Sequence, residues 1–164
     1  MTPLSLDDTI AGVYKGSSYE LLSKIPQDVD YPRYVVVDLA RYYRSWGVRF
    51  GIRADVAWAQ MLLETGDLRF GGQVSMSAHN FCGLKTTDGA AFARFRTVEA
   101  GVIAHMAHLA CYAFPEHVRT ECSDQYDPRH TTPHHNWATT IADLSGKWAP
   151  TEDYAGKIVR RWNG

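Results

Sequence analysis

An almost uninterrupted apolar segment, Ala54 to Leu63, is the feature that most constrains how this chain can fold. Only Asp55 and Gln60 are polar within it, so the segment has no continuous face for water. It is also too short to span a bilayer, which needs about 20 apolar residues. We therefore predict a helix buried on nearly all sides, with Asp55 near its positive end and Gly66 just beyond its C-terminus.

Glu64 occupies the last turn of this predicted helix, an unfavourable position for a carboxylate. The helix dipole disfavours negative charge there, and the preceding apolar residues exclude part of the water. Both effects predict a raised pKa. A carboxylic acid that keeps its proton near neutral pH can act as a general acid. The segment alone leaves open the alternative that Glu64 simply turns out to solvent.

The length and charge of the chain narrow the class of protein further. A chain of 164 residues can form one domain with a full core, and a net charge of −1 gives no basic surface for nucleic acid. No segment approaches membrane-spanning length, and the first residues lack the basic and apolar regions of a signal peptide. We expect a monomer without a nucleic-acid partner, membrane insertion or cofactor.

Helical spacing of apolar residues recurs along the chain, which predicts a mostly α fold. One small β-hairpin is expected between Leu84 and Phe95, because Asp88-Gly89 is a favoured pair for a tight turn. Besides the buried segment, the predicted helices cover residues 18–24, 32–47, 97–114, 137–146 and 151–162.

Several motifs in a fixed order resemble the glucosaminidase domain of bacterial autolysins and phage endolysins, glycoside hydrolase family 73. The resemblance covers about residues 50–162, whereas the first 30 residues match poorly. It implies an N-terminal extension, residues 1–30, packed on a catalytic domain, residues 31–164. The motifs that carry it are Ala57–Gly72, Asn80–Lys85, Phe95–Tyr112, Asp127–Arg129, Leu144–Ala149 and Asp153-Tyr154.

The resemblance implies a lysozyme-like α+β fold in which a small β-hairpin lobe flanks an active-site groove. It also implies hydrolysis of the β-1,4 bond from N-acetylglucosamine to N-acetylmuramic acid in peptidoglycan, with Glu64 as the general acid. The expected place of action is the bacterial cell wall, reached by phage lysis, virion delivery or processing of a longer chain. The alternatives are a muramidase or lytic transglycosylase on the same scaffold, or a non-catalytic wall-binding or virion module.

The second catalytic group remains open at the level of sequence. Asp88 in the predicted hairpin is one candidate, and Glu99 and Asp67 are weaker ones. The N-acetyl group of the substrate could instead act as the nucleophile, in which case no second carboxylate is needed. An aromatic hydroxyl could then help to hold the intermediate. Trp148 occupies the first aromatic position of the C-terminal motif and has no hydroxyl, so Tyr154 is the candidate.

We place five further residues along the substrate groove: Asn80, Phe81, Gly83, Lys85 and Trp148. Asn80 could donate to a substrate acetamide, or hold its own loop by bonding the backbone. Phe81 also has the character of a core residue. Gly83 suits a close backbone approach, either to a sugar or to the helix of Glu64.

Histidines offer the main competing signal, which is a metal site. His105 and His108 are three residues apart on one predicted helix, and His130, His134 and His135 cluster in a loop. No His-Glu-x-x-His pattern accompanies them. We therefore predict no metal and assign these histidines to helix packing and loop hydrogen bonds.

The three cysteines, Cys82, Cys111 and Cys122, fit no zinc-binding spacing and cannot all pair with one another. A Cys–His hydrolase built on Cys82 or Cys111 is not favoured, because Cys82 lies where the resembling motif has a small packed residue. A Cys111–Cys122 disulfide could form outside the cell.

Overall fold

The computed structural model describes residues 2–115, 126–129 and 137–164. The predicted mostly α fold is confirmed in this part of the chain. None of the helices found there is long and apolar enough to cross a membrane. The α-helices are α1 (Ser18–Leu22), α2 (Arg33–Phe50), α3 (Ala54–Thr65), α4 (Val98–Ala113) and α5 (Tyr154–Asn163), and two short 3₁₀ turns cover Met76–Ala78 and Ala142–Leu144.

Helix α3 lies at the centre of the molecule, as its composition predicts. All of its residues from Ala54 to Leu62 are buried, and it packs against α2, α4 and α5. Arg53 donates to both carboxylate oxygens of Asp55 at the start of the helix, at 3.2 and 2.8 Å. Gly66 ends the helix with φ +57°, a conformation that strains residues with a Cβ. These contacts fix both ends of α3, and with them the position of the last turn, which carries Glu64.

Helix α2 continues past the glycine at which the sequence predicts its end. It runs to Phe50 and is closed by Gly51 in the left-handed conformation, with φ +67°. Gly47 is buried inside the helix, and a Cβ placed there would lie 2.8 Å from the backbone oxygen of Ile52. Its role is therefore to let the chain that enters α3 pass close by, which the pattern within α2 does not reveal.

The predicted helix over residues 137–146 is wrong, because only the 3₁₀ turn Ala142–Leu144 forms there. The carboxylate of Asp143 accepts hydrogen bonds from the backbone N–H groups of Thr139 and Thr140, each at 3.0 Å. These bonds turn the backbone before the 3₁₀ segment and prevent a longer helix. The last helix, α5, begins at Tyr154 rather than at residue 151.

The predicted β-hairpin lobe is reduced to a tight turn with one isolated antiparallel bridge, between Lys85 and Phe92. Thr86 N–H donates to the Ala91 oxygen at 2.9 Å, and Ala93 N–H donates to the Leu84 oxygen at 2.8 Å. No strand extends from the bridge in this described segment. Instead, the buried Asn80 side chain donates to the backbone oxygens of Leu84 and Ala93, on the two sides of the turn. These bonds take the place of further strand pairing.

The N-terminal residues share the core of the helices. Leu4, Ile10 and Leu21 are buried in the same hydrophobic cluster as α3. Ile10 bonds on both sides: its N–H donates to Thr139 at 2.9 Å, and its oxygen accepts from Arg53 N–H at 2.9 Å. The boundary at residue 30 stays a prediction, although residues on both sides of it contribute to one core.

Candidate active site

A cavity of about 380 Å³ opens at the C-terminal end of α3. Its wall is built from the last turn of α3, the loop that follows it and the segment around the tight turn. Glu64 is the only carboxylate among the described residues that line it. The lining residues are Glu64, Thr65, Gly66, Phe70, Gly71, Gly72, Gln73, Val74, Asn80, Gly83 and Phe92.

A larger cavity of about 570 Å³ lies at the opposite end of α3, beside Arg53. The charged groups at the end of α3 are paired there, because Arg53 binds Asp8 at 2.8 Å and Asp55 at 2.8 Å. A guanidinium held between two carboxylates is a structural junction between the N-terminal residues and α3. The smaller cavity is therefore the better candidate for chemistry.

The two carboxylate oxygens of Glu64 have different surroundings. Oε1 accepts a hydrogen bond from the hydroxyl of Tyr154, which extends from the first turn of α5. Oε2 lies beside Gly83, where a Cβ would come within 3.4 Å of it. Gly83 has φ +65°, so a glycine is favoured there on conformational grounds as well. One oxygen is thus held by the protein, while the other faces a position without a side chain.

Glu64 as a whole residue is exposed, but its carboxylate is crowded by Tyr154, Trp148 and Gly83. Loss of hydration raises the pKa of Glu64 above its ordinary value, and the hydrogen-bonding groups of Tyr154 and Trp148 oppose part of that rise. The direction agrees with the sequence prediction. Burial and the adjacent carboxylate raise the pKa of Tyr154 well above its ordinary value, so its hydroxyl remains a hydrogen-bond donor.

A chain of buried hydrogen bonds continues from Tyr154 into the core. Gln60 Nε2 donates to the Tyr154 hydroxyl oxygen at 2.9 Å. Nε2 of His105 lies 3.0 Å from Gln60 Oε1, and Nδ1 of His105 lies 2.8 Å from the Tyr43 hydroxyl. All four side chains are buried. We call this series, from Tyr43 to Tyr154, the buried relay.

The donors of the buried relay all point toward Glu64. The Tyr154 hydroxyl donates its single hydrogen to the Glu64 carboxylate, so its oxygen must accept from the Gln60 amide nitrogen. The Gln60 oxygen then accepts from His105 Nε2, which leaves Nδ1 to accept from Tyr43. Burial lowers the pKa of His105 to about 3, so the imidazole is neutral and carries one proton. The relay therefore fixes both the tautomer of His105 and the direction of the Tyr154 hydroxyl.

Sequence reasoning missed the part that Gln60 and His105 play, although a signal existed. Each is a polar residue inside an otherwise apolar helix, and buried polar groups almost always have hydrogen-bond partners. The sequence could not identify those partners, because Gln60 and Tyr154 are 94 residues apart.

None of the other candidate carboxylates, Asp88, Glu99 and Asp67, lines the cavity at Glu64. Asp88 is exposed and accepts from the Thr86 hydroxyl at 2.6 Å and from Ala90 N–H at 3.0 Å. These hydrogen bonds hold the pKa of Asp88 below its ordinary value. Asp88 therefore stabilises its own turn and is not part of the cavity wall. Glu99 accepts from the Trp46 indole at 3.0 Å, and Asp67 pairs with Arg161 at 2.9 Å.

Asn80 lies at the cavity but has no donor left for a ligand. Its amide nitrogen donates to the backbone oxygens of Leu84 at 2.8 Å and Ala93 at 2.9 Å, and its oxygen accepts from Leu84 N–H at 3.0 Å. Of the two roles considered from sequence, holding the loop is the one that fits these contacts. Gly83, held in this loop, is thereby placed against Glu64.

The structure places Phe81, which the sequence assigns to the substrate groove, in the core behind the cavity wall. Its side chain is fully buried, with its ring centroid 6.5 Å from that of Tyr31 and 6.3 Å from that of Phe70. The ring packs into an aromatic cluster behind the cavity wall and therefore supports the wall from inside.

Lys85 and Trp148 line a neighbouring cavity of about 190 Å³. Gly83 lines both this cavity and the cavity at Glu64. Trp148 is half-buried, and its ring packs against those of His105 at 6.0 Å, His108 at 5.3 Å and Tyr112 at 5.1 Å. Trp148 thus lies between the cavity walls and the two histidines of α4.

The histidines and cysteines are only partly described. His108 Nδ1 lies 3.1 Å from Asp127 Oδ2, and Cys111 lies on the same face of α4 one turn later. Cys82 is a buried free thiol close to the cavity wall. The predicted loop cluster of His130, His134 and His135, and the predicted partner Cys122, lie outside the described residues.

Comparison with family models assigns the chain to a family. The sequence model of the Glucosaminidase family, described as mannosyl-glycoprotein endo-beta-N-acetylglucosaminidase, matches residues 40–164. An uncharacterized protein of Borreliella burgdorferi is 37% identical over 123 residues, which are 74% of this chain. The chain spans 59% of the length of that relative. No solved structure matches the chain.

Proposed function

Because the chain belongs to the glucosaminidase family, we propose that it is a peptidoglycan hydrolase with Glu64 as its general acid. The bond cleaved is the β-1,4 linkage from N-acetylglucosamine to N-acetylmuramic acid. One observation carries the proposal: the Glu64 carboxylate stands at a cavity, its pKa is raised by lost hydration, and one of its oxygens is held by Tyr154.

The division of labour between the carboxylate oxygens suits proton donation. With Oε1 engaged by Tyr154, the proton resides on Oε2, beside Gly83. Glu64 passes this proton to the glycosidic oxygen as the bond from that oxygen to the anomeric carbon breaks. Tyr154 is then a positioning residue that acts through Glu64, because its hydroxyl hydrogen is already committed.

The N-acetyl group of the substrate is the best-supported nucleophile. Glu64 is the only carboxylate among the described residues that line the cavity at the C-terminal end of α3, and Asp88 is engaged in its own turn. Substrate-assisted hydrolysis needs no second carboxylate. The acetamide oxygen bonds to the anomeric carbon as the leaving group departs with the proton. Water then attacks that carbon, its proton returns to Glu64, and the bond to the acetamide oxygen breaks.

The cavity corresponds, in this proposal, to the groove of a lysozyme-like fold that holds the glycan. Half-buried rings of Phe70 and Phe92 contribute to its wall, where apolar faces can pack against the C–H faces of sugar rings. Exposed Gln73 supplies amide groups for sugar hydroxyls. Residues 31–164 form the catalytic domain, and residues 1–30 are an extension whose apolar side chains complete its core.

Product analysis on purified peptidoglycan tests this proposal. Mass spectrometry of the released fragments should find N-acetylglucosamine at the new reducing ends, and Glu64→Gln should release far fewer fragments. Reducing N-acetylmuramic acid would indicate a muramidase, and an anhydro form of that sugar would indicate a lytic transglycosylase. Binding to peptidoglycan without released sugars would indicate a wall-binding or virion module.

The proposed site of action is the bacterial cell wall, outside the cytoplasmic membrane. An endolysin role is the finer form of this proposal. To test it, the membrane of cells that produce the protein is permeabilised, so that the protein reaches the periplasm. Culture turbidity should then fall for the wild-type protein and stay unchanged for Glu64→Gln. Fragment release from purified walls without lysis of cells would retain the hydrolase and remove the endolysin role.

A further inference from the structure

A second polar cluster lies in the C-terminal half of α4, away from Glu64. His108 and Cys111 are on neighbouring positions of one helix face, and Asp127 approaches them from the described residues 126–129. Nδ1 of His108 is 3.1 Å and Sγ of Cys111 is 4.0 Å from Oδ2 of Asp127. All three ligand atoms lie within 4.8 Å of one another, and all three residues are buried.

We propose that His108, Cys111 and Asp127 bind a Zn²⁺ ion. An imidazole nitrogen, a thiolate and a carboxylate oxygen are the ligands that Zn²⁺ takes in proteins. Tetrahedral bonds of about 2.0 Å to nitrogen and about 2.3 Å to sulfur separate the ligand atoms by roughly 3.3–3.7 Å. The two separations from Asp127 Oδ2, 3.1 and 4.0 Å, lie on either side of that range, and the third is within 4.8 Å, so the three ligands need only draw closer around the ion. Ca²⁺ and Mg²⁺ fit poorly, because they prefer oxygen ligands alone.

The surroundings of the cluster hold its ligands in place. Oδ1 of Asp127 accepts a hydrogen bond from the Arg129 N–H at 2.9 Å, which turns Oδ2 toward the other two ligands. The His108 ring packs against Tyr112 at 5.4 Å and Trp148 at 5.3 Å. Such second contacts orient metal ligands in zinc proteins. The cavity of about 190 Å³ that His108 lines gives a path for the ion to enter.

Three protein ligands leave one position of a tetrahedral ion to water. The ion would join α4 to the segment that carries Asp127, and His108 would transmit that restraint to Trp148 at the groove. This inference does not rest on the glycosidase proposal. Sequence reasoning missed it because Asp127 is 16 residues from Cys111 and follows no metal-binding spacing.

Metal analysis of the full chain, purified without a polyhistidine tag, tests the site. After incubation with Zn²⁺ and extensive dialysis, elemental analysis should find one zinc per chain. Cys111→Ser and Asp127→Asn should each lose it, whereas Cys82→Ser, a matched substitution at a buried thiol outside the cluster, should keep it. Zinc retained by Cys111→Ser would assign the metal to other residues, such as the histidines at 130–135, and would overturn the proposal.

Cobalt substitution keeps the test decisive if a variant fails to fold. Co²⁺ added to the metal-free wild-type protein should produce a thiolate-to-cobalt absorption band in the near ultraviolet, together with visible bands of tetrahedral intensity. Displacement by Zn²⁺ should abolish both. A folded wild-type protein that gives neither band, and binds no zinc, has an ion pair between His108 and Asp127 beside a packed thiol and no metal site.

Discussion

Two histidines one turn apart on α4 are buried to a similar extent but have different chemical surroundings. His105 contacts two neutral groups, the hydroxyl of Tyr43 and the amide of Gln60. His108 contacts the carboxylate of Asp127. The first imidazole is kept neutral with one defined tautomer, and the second has an anionic partner that favours a cation nearby. Because both side chains are buried, their hydrogen-bond partners are what distinguish the two histidines.

The two surroundings meet at Trp148. Its ring contacts both His105 and His108, and its indole also favours the charged form of Glu64. The His105 side, which is the buried relay, leads to the proposed general acid, while the His108 side leads to the proposed zinc site. If this division is correct, substitutions on the two sides should change different measurements.

Glu64→Gln should have the largest effect and defines the end of the His105 side. The amide keeps an acceptor for Tyr154 but has no proton to donate, and general acid catalysis contributes about 10²–10⁴-fold to rate. We expect kcat for release of peptidoglycan fragments to fall by about that factor, with little change in thermal stability.

Two matched variants accompany this measurement. Glu99→Gln removes a carboxylate that accepts from Trp46, and Asp88→Asn removes one that stabilises an exposed turn, so both should retain activity. Loss of activity in Asp88→Asn equal to that in Glu64→Gln would replace the substrate-assisted mechanism with one that uses two carboxylates.

Tyr154→Phe should have the next largest effect, because it disconnects the buried relay from Glu64. The lost hydrogen bond stabilises the charged carboxylate, so its removal should raise the pKa of Glu64 further. The alkaline limb of kcat/KM against pH, where the acid loses its proton, should then move to higher pH. We expect kcat to fall about tenfold, as for a lost hydrogen bond worth roughly 1.5 kcal/mol.

The direction of the pH shift separates this role from simple support of the fold. A variant that is merely less stable should lose activity with the alkaline limb unchanged. Tyr112→Phe is a suitable comparison, because it removes the hydroxyl of a buried tyrosine outside the relay. Movement of the limb to lower pH in Tyr154→Phe would contradict the proposed contact.

Replacing each α4 histidine in turn tests the comparison directly. His105→Phe leaves Tyr43 and Gln60 without their shared partner, and each unsatisfied buried group costs about 1–3 kcal/mol. We expect a severalfold loss of kcat, a displaced pH profile and a lower Tm. His108→Phe should leave the pH profile in place and remove bound zinc. Equal changes in the pH profile for both variants would show that the two sides are not separate.

Sequence predicts those features of the fold that a local pattern of residues determines. Helix α3 could be predicted because its apolar residues leave no face for water, and the position of Glu64 follows from the end of that helix. The role of Gly47 cannot be predicted in the same way, because it depends on the Ile52 carbonyl, which lies outside α2. Spacing along a helix reports burial, but it does not report which distant segment supplies the contact.

In the candidate site, too, sequence identifies the motif but not the contacts that its residues make. Asn80 and Phe81 both lie in a motif that points to a groove, yet one bonds only backbone and the other packs behind the wall. The buried relay joins α2, α3, α4 and α5 through side chains far apart in sequence. Such contacts depend on the packing of four helices, so a single sequence gives only the polar residues that need partners.

The last expected effect is on the pH dependence of stability rather than on activity, and it tests the neutral state of His105 directly. Its pKa is lowered to about 3 in the folded protein, below the ordinary value near 6.5. Between these values the unfolded chain binds the proton and the folded protein does not. The free energy of unfolding should therefore rise with pH across this range, with a contribution of at most about 1.4 kcal/mol per pH unit from His105.

His105→Gln should remove that contribution, because an amide does not titrate while it can still bond Gln60 or Tyr43. Urea unfolding of both proteins between about pH 4 and pH 6 provides the measurement, and the difference between them cancels the carboxylates that also titrate there. His108 remains in both proteins. A difference that stays constant with pH would mean that His105 is protonated in the fold, and the donor direction of the buried relay would then be reversed at its Tyr43 end.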